Sequence, residues 1–389
     1  MADVADGKAK TVRIGSMVGD GIGHEIVPAT MRVVDAAVQA THGPHVDWVM
    51  LPLGRDAIES HGSPIPASTL AELDTLNGWV LGPHDSASYP EEFRQQLTPG
   101  GTVRKTFGLF ANIRPAAALP GVRAVSPNMD LVVVRENTEG FYADRNMFVG
   151  SGEFMPTPDV ALAVGVFTRD ACERIARRAF ALAQGRRKHV TIVHKTNVLA
   201  LTTGLFRDAC RSVAEDFPDV HVDEEHIDAL TAHLVRRGSD FDVIVAENMF
   251  GDILSDLAGE LSGSLGMAPS LNASETKAMA QAAHGSAPDI AGRNRANPTA
   301  LILSSAMLLD WLAEHDGDVR LTAAATRIRS AVRGTLESGV ATADVGGLAS
   351  TAEFTEAVIG DLAAVGIQAN LNWLQYSSLL EKVQNGETP

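Results

Sequence analysis

The chain has 389 residues, which is long enough for two domains, and 45% hydrophobic and 21% charged residues are typical of a soluble α/β protein. Its net charge of −16 argues against nucleic acid as the main partner, because phosphate binding requires a basic face, although a few arginines still suffice to attract a small anionic substrate. Two cysteines, no signal-peptide pattern and no apolar run of about 20 residues predict a cytoplasmic protein without disulfides or membrane spans.

The order of apolar segments predicts an α/β fold. From Thr11 the sequence reads as a strand, a glycine turn and an amphipathic helix, and further short strands follow. These strands are GWVLGPHD (78–85), DLVVVREN (130–137), HVTIVHKTN (189–197) and FDVIVA (241–246). Helices are predicted at Arg169–Gln184, Leu201–Phe217 and Asp228–Arg237, and the final third is mostly helical. This alternation predicts a mostly parallel sheet.

Polar residues cluster at the carboxyl ends of the predicted strands. In parallel sheets the functional groups gather at that edge, because the strand ends meet there. The residues that follow apolar runs are Asp20, Asp85, Arg135, Lys195 and Asp252. One such coincidence would mean little, but five predict a functional site at this edge of the sheet.

Two aspartates, Asp252 and Asp256, lie four residues apart in an apolar run. Gly251 is predicted to end the strand pattern, so the helix would start after it and present both carboxylates on one face, with their Cα atoms roughly 6 Å apart along the axis. Such a pair suits a hard cation such as Mg²⁺ or Mn²⁺. The alternative is one acid favoured by the helix dipole and one exposed acid. Asp228 is either a third ligand or a helix N-cap.

Three arginines, Arg104, Arg114 and Arg135, stand next to apolar segments, and the planar guanidinium suits bidentate binding of carboxylates. The alternative for each is a surface ion pair. Tyr142 and Lys195 are candidates for proton transfer, which requires neighbours that lower their usual pKa values of about 10 and 10.4. For Tyr142 alone, the alternative is packing with a hydrogen-bonded hydroxyl.

A loop rich in Gly, Pro and Asn, AHGSAPDIAGRNRANP (283–298), carries an acid at Asp289. A carboxylate there accepts hydrogen bonds from both ribose hydroxyls of NAD and repels a 2′-phosphate. The turn GDGIG, with glycines at 19, 21 and 23, is not the G-x-G-x-x-G fingerprint and by itself is weak support for nucleotide binding.

Together these segments resemble the β-decarboxylating dehydrogenases, which include isocitrate, isopropylmalate, homoisocitrate and tartrate or D-malate dehydrogenases. The matching motifs are GDGIGHE, RKTFGLFANIRP, VRENTEGFY, HKTNVL, NMFGDILSD, GSLGMAPS, HGSAPDIAG and ANPTALILS, in that order along the chain. The resemblance implies an isopropylmalate dehydrogenase-like two-domain fold with a large mixed sheet flanked by helices. The large cofactor-binding domain would comprise 1–109 plus 263–389, and a smaller α/β dimerisation domain would comprise 110–262.

The resemblance also implies roles for individual residues. The substrate, a small di- or tricarboxylate, would contact Arg104, Arg114, Arg135, Thr98, Asn197 and Val198. Mg²⁺ or Mn²⁺ would bind to Asp228, Asp252 and Asp256, and proton transfer would fall to Tyr142, Lys195 and Asp228. NAD would lie against His284, Gly285, Ser286, Ala287, Asp289 and Asn297. In this family a homodimer shares its active sites, so Lys195 and Asp228 would come from the other subunit.

The motifs leave the substrate open. Isopropylmalate enzymes place leucines three and four residues before the first arginine, where this chain has Gly101 and Gly100, and Thr98 offers a hydroxyl at an isocitrate-type serine position. Isopropylmalate and isocitrate are the leading substrate candidates. Homoisocitrate, tartrate or D-malate, and a substrate of a specialised pathway, are the alternatives. Gln281-Ala282-Ala283 replaces the common Glu-Pro-x. Two other classes compete: a regulatory subunit, which would lose catalytic residues, and a phosphate-processing enzyme, which would need a phosphate loop absent from this sequence.

Overall fold

The computed structural model describes residues 11–94, 96–142, 144 and 146–363. Within these residues the strands are β1 (Thr11–Met17), β2 (His45–Met50), β3 (Gly78–Leu81), β4 (Ala111–Ala117), β5 (Asp130–Glu136), β6 (Glu153–Thr157), β7 (Val160–Ala163), β8 (His189–His194), β9 (His221–His226), β10 (Val243–Ala246), β11 (Leu271–Ala273) and β12 (Ala278–Gln281). The helices are α1 (Gly23–Ala40), α2 (Arg55–His61), α3 (Ala67–Thr75), α4 (Glu91–Arg94), α5 (Pro99–Thr106), α6 (Arg169–Gln184), α7 (Thr202–Ala214), α8 (Ile227–Arg237), α9 (Asn248–Ser262), α10 (Thr299–Asp316), α11 (Val319–Glu337) and α12 (351–363).

Ten of these strands form one sheet in the order β2-β1-β3-β12-β11-β4-β5-β10-β8-β9. The pairings are parallel on both flanks, whereas β11 runs antiparallel to both β12 and β4, and β4 runs antiparallel to β5. The prediction of a large mixed sheet flanked by helices is therefore confirmed. Strands β5, β8 and β10 are parallel neighbours, so their carboxyl ends meet at one edge.

The hydrophobic core divides into two halves along the sheet. One half packs α1, α10 and α11 on one face of β1, β3 and β12, and its opposite face is covered by apolar residues between Met17 and Leu109. The other half packs α6 and α7 on one face of β5, β8 and β10, and α8 and α9 on the other. This division supports the domain boundaries 1–109 plus 263–389 and 110–262 as a proposal, although 1–10 and 364–389 lie outside the described residues.

The three helices predicted with bounds are observed, two of them with shifted ends. Helix α6 has the predicted bounds, α7 is shorter at both ends, and α8 begins one residue earlier. The prediction that the helix after β10 starts beyond Gly251 is wrong, because α9 already begins at Asn248. The side chain of Glu247 caps this helix by accepting a hydrogen bond from the Phe250 amide at 2.7 Å.

Gly251 lies within α9 because the helix packs closely on β5. A Cβ atom at this position would come within 2.7 Å of Cβ and Cγ of Arg135, which is closer than any side-chain carbon tolerates. The glycine is therefore explained by a tertiary contact with the strand and not by a break in the helix.

Candidate active site

A cluster of two arginines and two aspartates lies where β4, β5 and α9 meet. Arg114 is 8% exposed, and its Nη1 lies 3.1 Å from Oδ1 of both Asp252 and Asp256. The same nitrogen donates a hydrogen bond to Ser255 Oγ at 2.8 Å. The two carboxylates thus converge on one cationic group, as the four-residue spacing on a helix predicts.

The second arginine, Arg135, is almost fully buried and is fixed from two sides. Its Nε and Nη2 donate hydrogen bonds to Asn248 Oδ1 at 2.9 and 2.7 Å, and its Nη1 donates to Asp252 Oδ1. The hydroxyl of Tyr142 donates to Asp252 Oδ2 at 2.5 Å, and the Arg135 guanidinium lies 5.4 Å from the Tyr142 ring centroid. Asp252 is therefore the common partner of both arginines and of the tyrosine.

The two aspartates differ in their proton affinity. Burial raises the pKa of Asp252, but the charges of Arg135 and Arg114 outweigh it and hold this pKa below the usual value. Burial raises the pKa of Asp256, and the neighbouring Asp252 charge adds to this effect against the opposing charge of Arg114. The side chain of Asp256 is 51% exposed. The pair thus combines a strongly ionised, buried carboxylate with an accessible one.

These residues fit a hard divalent cation. Their donors are carboxylate oxygens, which Mg²⁺ and Mn²⁺ prefer, and the accessible Asp256 leaves room for water and substrate oxygens. A cationic nitrogen of Arg114 already lies between the two carboxylates, so the position attracts positive charge.

The third predicted arginine, Arg104, lies on α5 and reaches across to the end of β12. Its Nη2 donates a hydrogen bond to Gln281 Oε1 at 2.8 Å. Thr98 caps the start of α5 by accepting a hydrogen bond from the Gly101 amide at 3.1 Å, so its hydroxyl proton is left for another acceptor. Gly100 lies against His84, since a Cβ on Gly100 would come within 2.9 Å of His84 Nε2.

Lys195 and Asp228 form an ion pair at the same edge of the sheet. Lys195 Nζ lies 2.5 Å from Asp228 Oδ1, and this hydrogen bond lowers the pKa of Asp228. Strands β8 and β9, which lead to these residues, lie two and three strands from β5, or roughly 10 and 14 Å at ordinary strand spacing. Within the described part of the chain neither residue contacts Asp252. Asn197 and Val198 are both exposed beside Lys195.

The predicted nucleotide-binding loop borders a cavity of about 640 Å³. His284, Gly285, Ala287 and Asn297 line this cavity; Ser286 is buried beside it and Asp289 is exposed. Burial lowers the pKa of His284, which favours its neutral form. The Ile22 amide donates to the Ser286 carbonyl at 2.9 Å. The GDGIG turn therefore supports this loop, and Gly21, with φ +55° and no space for a Cβ, permits the close approach.

Several residues of these sites were not predicted from the sequence. Asp344 lines the cavity and accepts hydrogen bonds from Asn297 Nδ2 at 3.0 Å and Ser264 Oγ at 2.7 Å. The sequence feature that could have indicated Asp344 is the pair of glycines that follows it in TADVGG.

Asp20, which the sequence predicted as a site residue, instead connects loops. Its carboxylate accepts hydrogen bonds from the Arg55 and Asp85 amides at 2.7 Å and from the Tyr89 hydroxyl at 2.5 Å.

Comparison with known proteins identifies the family. The family model described as isocitrate/isopropylmalate dehydrogenase matches residues 13–358. This chain belongs to that family. It is 43% identical over 359 residues to an isocitrate/homoisocitrate dehydrogenase of Thermus thermophilus, covering 91% of this chain and 99% of the relative. It is 40% identical over 341 residues to a 3-isopropylmalate dehydrogenase of Archaeoglobus fulgidus, covering 87% and 96%.

The fold agrees with this family membership. The crystal structure of isocitrate dehydrogenase from Methylococcus capsulatus aligns with a TM-score of 0.79 at 36% identity, covering 90% of this chain and 99% of that one. The chain is thus an oxidoreductase, a dehydrogenase of the class that oxidatively decarboxylates hydroxy acids. Among the described residues, every helix is too short or too polar to cross a membrane.

Proposed function

We propose that this dehydrogenase catalyses the NAD- and Mg²⁺- or Mn²⁺-dependent oxidative decarboxylation of a 3-substituted malate to a 2-oxo acid and CO₂. One observation carries the proposal: Asp252 accepts hydrogen bonds from Arg135 and Tyr142 and pairs with Arg114. Two groups that bind carboxylates, a cation ligand and a proton donor thereby converge at one point of the sheet edge, which is the set that this reaction requires.

The residues divide the chemistry between them. Arg104, Arg114 and Arg135 bind the substrate carboxylates, and Asp252 and Asp256, with Asp228 of a second subunit, hold the cation. The divalent cation would supply polarisation of the substrate oxygen, and NAD would supply the hydride acceptor. Lys195, acting with Asp228, takes the proton of the C2 hydroxyl. Tyr142 returns a proton to C3 after CO₂ leaves. Asn197 and Val198 border the substrate from the second subunit.

We infer a homodimer with shared active sites. The hairpin β6–β7 is exposed on both faces, and a two-stranded hairpin alone is marginally stable in water. Helix α9 exposes Ile253 beside Asp252, and α8 exposes Val235. These apolar surfaces need a partner, and a second copy would bring Lys195 to the buried cluster. Light scattering of the purified chain tests this: a monomer at micromolar concentration would contradict it.

The buried free thiols Cys172 and Cys210 agree with a reducing cytoplasm.

The lining around Gly100 favours isocitrate over isopropylmalate. By family resemblance the stretch before Arg104 faces the C3 substituent. Here Gly100 and Gly101 stand in place of leucines, and His84, Gln281 and the Thr98 hydroxyl lie around them. An isopropyl group would offer no acceptor to the Gln281 amide hydrogens or to the Thr98 hydroxyl proton, and an unmet polar group costs more than a lost apolar contact. A carboxylate on the substituent would instead accept hydrogen bonds from them. Homoisocitrate, tartrate and D-malate are the further candidates.

The cofactor preference is assigned to Asp289. It is exposed at the rim of the cavity, where its charge suits ribose hydroxyls and repels the 2′-phosphate of NADP. The variant Asp289→Lys should lower the ratio of kcat/KM for NAD to that for NADP by about a hundredfold, because it replaces repulsion by attraction. Asp344→Asn serves as the matched control: it borders the same cavity and should weaken both cofactors alike.

A substrate panel tests the proposal as a whole. Isocitrate, isopropylmalate, homoisocitrate, tartrate and D-malate are each assayed with NAD⁺ or NADP⁺, with and without Mg²⁺, by the absorbance of the reduced cofactor. Turnover that requires Mg²⁺, with isocitrate ahead of isopropylmalate, is expected. No turnover of any of these acids would contradict it and would favour a non-catalytic, regulatory subunit of an isocitrate-type dehydrogenase.

A further inference from the structure

A second group of potential metal ligands lies at the opposite end of the β8–β9 pair. His189 and His221 are the first residues of the two strands and stand directly opposite each other in the parallel register. Asp223 is two residues after His221, so its side chain projects from the same face. One ligand atom of each residue lies within 4.8 Å of the others. This group is at the amino ends of the strands, whereas Lys195 and Asp228 follow the carboxyl ends.

The atoms of this group face each other without the bonds that buried polar atoms need. His189 Nε2 lies 3.1 Å from Asp223 Oδ2, yet the two are not aligned as a hydrogen bond. Both His189 Nε2 and Asp223 Oδ1 are buried and lack a hydrogen-bond partner among the described residues. Since buried polar atoms are normally satisfied, a cation between the imidazole and the carboxylate would give both atoms the partner that they lack.

The spacing suits a tetrahedral transition metal ion. Ligand bonds of 2.0–2.1 Å at tetrahedral angles place neighbouring donor atoms about 3.3 Å apart, close to the 3.1 Å between His189 Nε2 and Asp223 Oδ2. His221 is exposed and free to turn its ring toward the same point. Two imidazoles and one carboxylate select Zn²⁺, Ni²⁺ or Cu²⁺ over Mg²⁺, which prefers oxygen ligands alone.

The other end of the same strands provides an internal contrast. His194 and His226 also stand opposite each other, and Glu224 lies two residues before His226 on their face. There both carboxylate oxygens of Glu224 are already bound by Arg211, at 2.5 and 2.9 Å. A guanidinium therefore supplies the positive charge at that end. Lys188, the cation adjacent to His189, has its Nζ 4.0 Å from Asp219.

We propose that His189, His221 and Asp223 form a second metal site, for Zn²⁺ or a related borderline transition ion, with water as the fourth ligand. Bound metal would join the edge strand β9 to β8 and so stabilise the strand that leads to α8. The proposal is independent of the substrate and of the cation at Asp252, because the ligand types and the end of the sheet both differ.

The test uses the full-length protein in saturating Mg²⁺, which occupies the oxygen-ligand site. Zn²⁺ is titrated by calorimetry, and Co²⁺ is titrated in parallel to record the intense visible absorption of tetrahedral cobalt. We expect one Zn²⁺ per chain and a higher unfolding temperature with Zn²⁺. The heat of Zn²⁺ binding and the visible absorption of cobalt should both be lost in His221→Gln and His189→Gln. His221→Gln changes an exposed side chain, so it answers the question even if His189→Gln fails to fold.

The matched control is His45→Gln. His45 is likewise the exposed first residue of an edge strand, β2, at the other side of the sheet, and this variant should bind Zn²⁺ as the wild type does. All three variants should retain their Mg²⁺-dependent dehydrogenase activity. Zn²⁺ stoichiometry unchanged in His221→Gln, or no Zn²⁺ bound in excess Mg²⁺, would overturn the proposal and leave His189 and Asp223 as a simple side-chain pair.

Discussion

Two charged groups at the carboxyl edge of the sheet differ in how the chain holds them. Asp252 is bound by two buried arginines and a tyrosine, so its charge is balanced within the chain. Lys195 and Asp228 are bound chiefly to each other, and the Asp228 side chain is 68% exposed. The group around Asp252, called the buried group below, is therefore pre-organised by burial, whereas the Lys195–Asp228 pair is accessible to a second molecule. Substitutions in the group around Asp252 should therefore lower both stability and activity, whereas substitutions in the Lys195–Asp228 pair should lower activity alone.

The largest combined effect is expected for Asp252→Asn. The substitution removes the carboxylate charge that binds the cation and pairs with Arg135. We therefore expect kcat/KM to fall by about a thousandfold or more. The buried guanidinium of Arg135 loses its counter-charge, which lowers the free energy of unfolding. The loss should be limited to about 2 kcal/mol, because Asp252 is partly exposed and Asn still accepts hydrogen bonds. Steady-state kinetics and denaturant unfolding measure the two effects.

Asp256→Asn is the matched control for that variant. It removes the other carboxylate of the same helix, which pairs with Arg114 and is half-exposed. We expect a comparable loss of Mg²⁺-dependent activity with a clearly smaller loss of stability. Equal destabilisation by the two variants would show that burial does not distinguish the carboxylates, and the comparison between the two groups would fail.

Lys195→Met should lose activity without losing stability. Removing a group that takes up the substrate proton should lower kcat by roughly a thousandfold. Its ion pair with an exposed carboxylate adds little to folding, so the unfolding curve should stay close to that of the wild type. A marked drop in stability would indicate that the pair is structural and would remove the contrast with Asp252.

Mixing two inactive variants sharpens this result. If each site combines Lys195 of one subunit with Asp252 of the other, half of the dimers formed from Lys195→Met and Asp252→Asn are hybrids with one intact site of two, which restores about a quarter of the wild-type activity. The mixture is denatured and refolded so that subunits exchange, and each variant treated alone is the control. No recovery in a mixture shown to contain hybrids would mean that the site lies within one chain.

The sequence predicted the parts of the site that follow from local periodicity. The four-residue spacing places Asp252 and Asp256 on one face because a helix repeats every 3.6 residues, and both indeed converge on Arg114. Lys195 follows β8, whose apolar run is readable, whereas β9, which leads to Asp228, has the polar sequence HVDEEH and was not predicted. The motif order indicated the family and hence the mixed sheet, which composition alone does not determine.

The contacts that the sequence did not predict are all tertiary. Gln281 binds Arg104 across 177 residues, and Asp344 binds Asn297 across 47. Asp20 looked like a site residue because it follows an apolar run, yet its carboxylate connects three loop groups. No periodic pattern encodes such pairs, since each depends on how distant strands are placed in the sheet.

Gly251→Ala tests whether the buried group depends on close packing. The new Cβ would come within 2.7 Å of Arg135, so the helix or the arginine must move, and we expect a loss of about 1–2 kcal/mol after the gain in helix propensity. KM should rise roughly tenfold, since a displaced Arg135 binds the substrate carboxylate less well. Gly259→Ala is the control in the same helix: its Cβ would come 3.2 Å from Ala268 Cβ, a contact relieved by a shift of a few tenths of an ångström, and the gain in helix propensity should leave it nearly neutral. Similar losses in both would point to the helix and not to Arg135.

At neutral pH the smallest effect comes from His84, which is half-buried beside Gly100 and Arg104 and affects stability only in acid. Burial, aided by the Arg104 charge, lowers the pKa of His84 to about 4, whereas the unfolded chain titrates near 6.5. Between these values the unfolded state binds more protons, so stability falls as the pH drops from about 6.5 to about 4, by about 3 kcal/mol at most from this residue. His84→Gln should abolish that part of the loss. Denaturant unfolding of both proteins from pH 8 to pH 4 measures it, with pH 8, where His84 is neutral in both states, as the reference. Parallel stability curves for the variant and the wild type would mean that burial and the Arg104 charge do not hold His84 neutral.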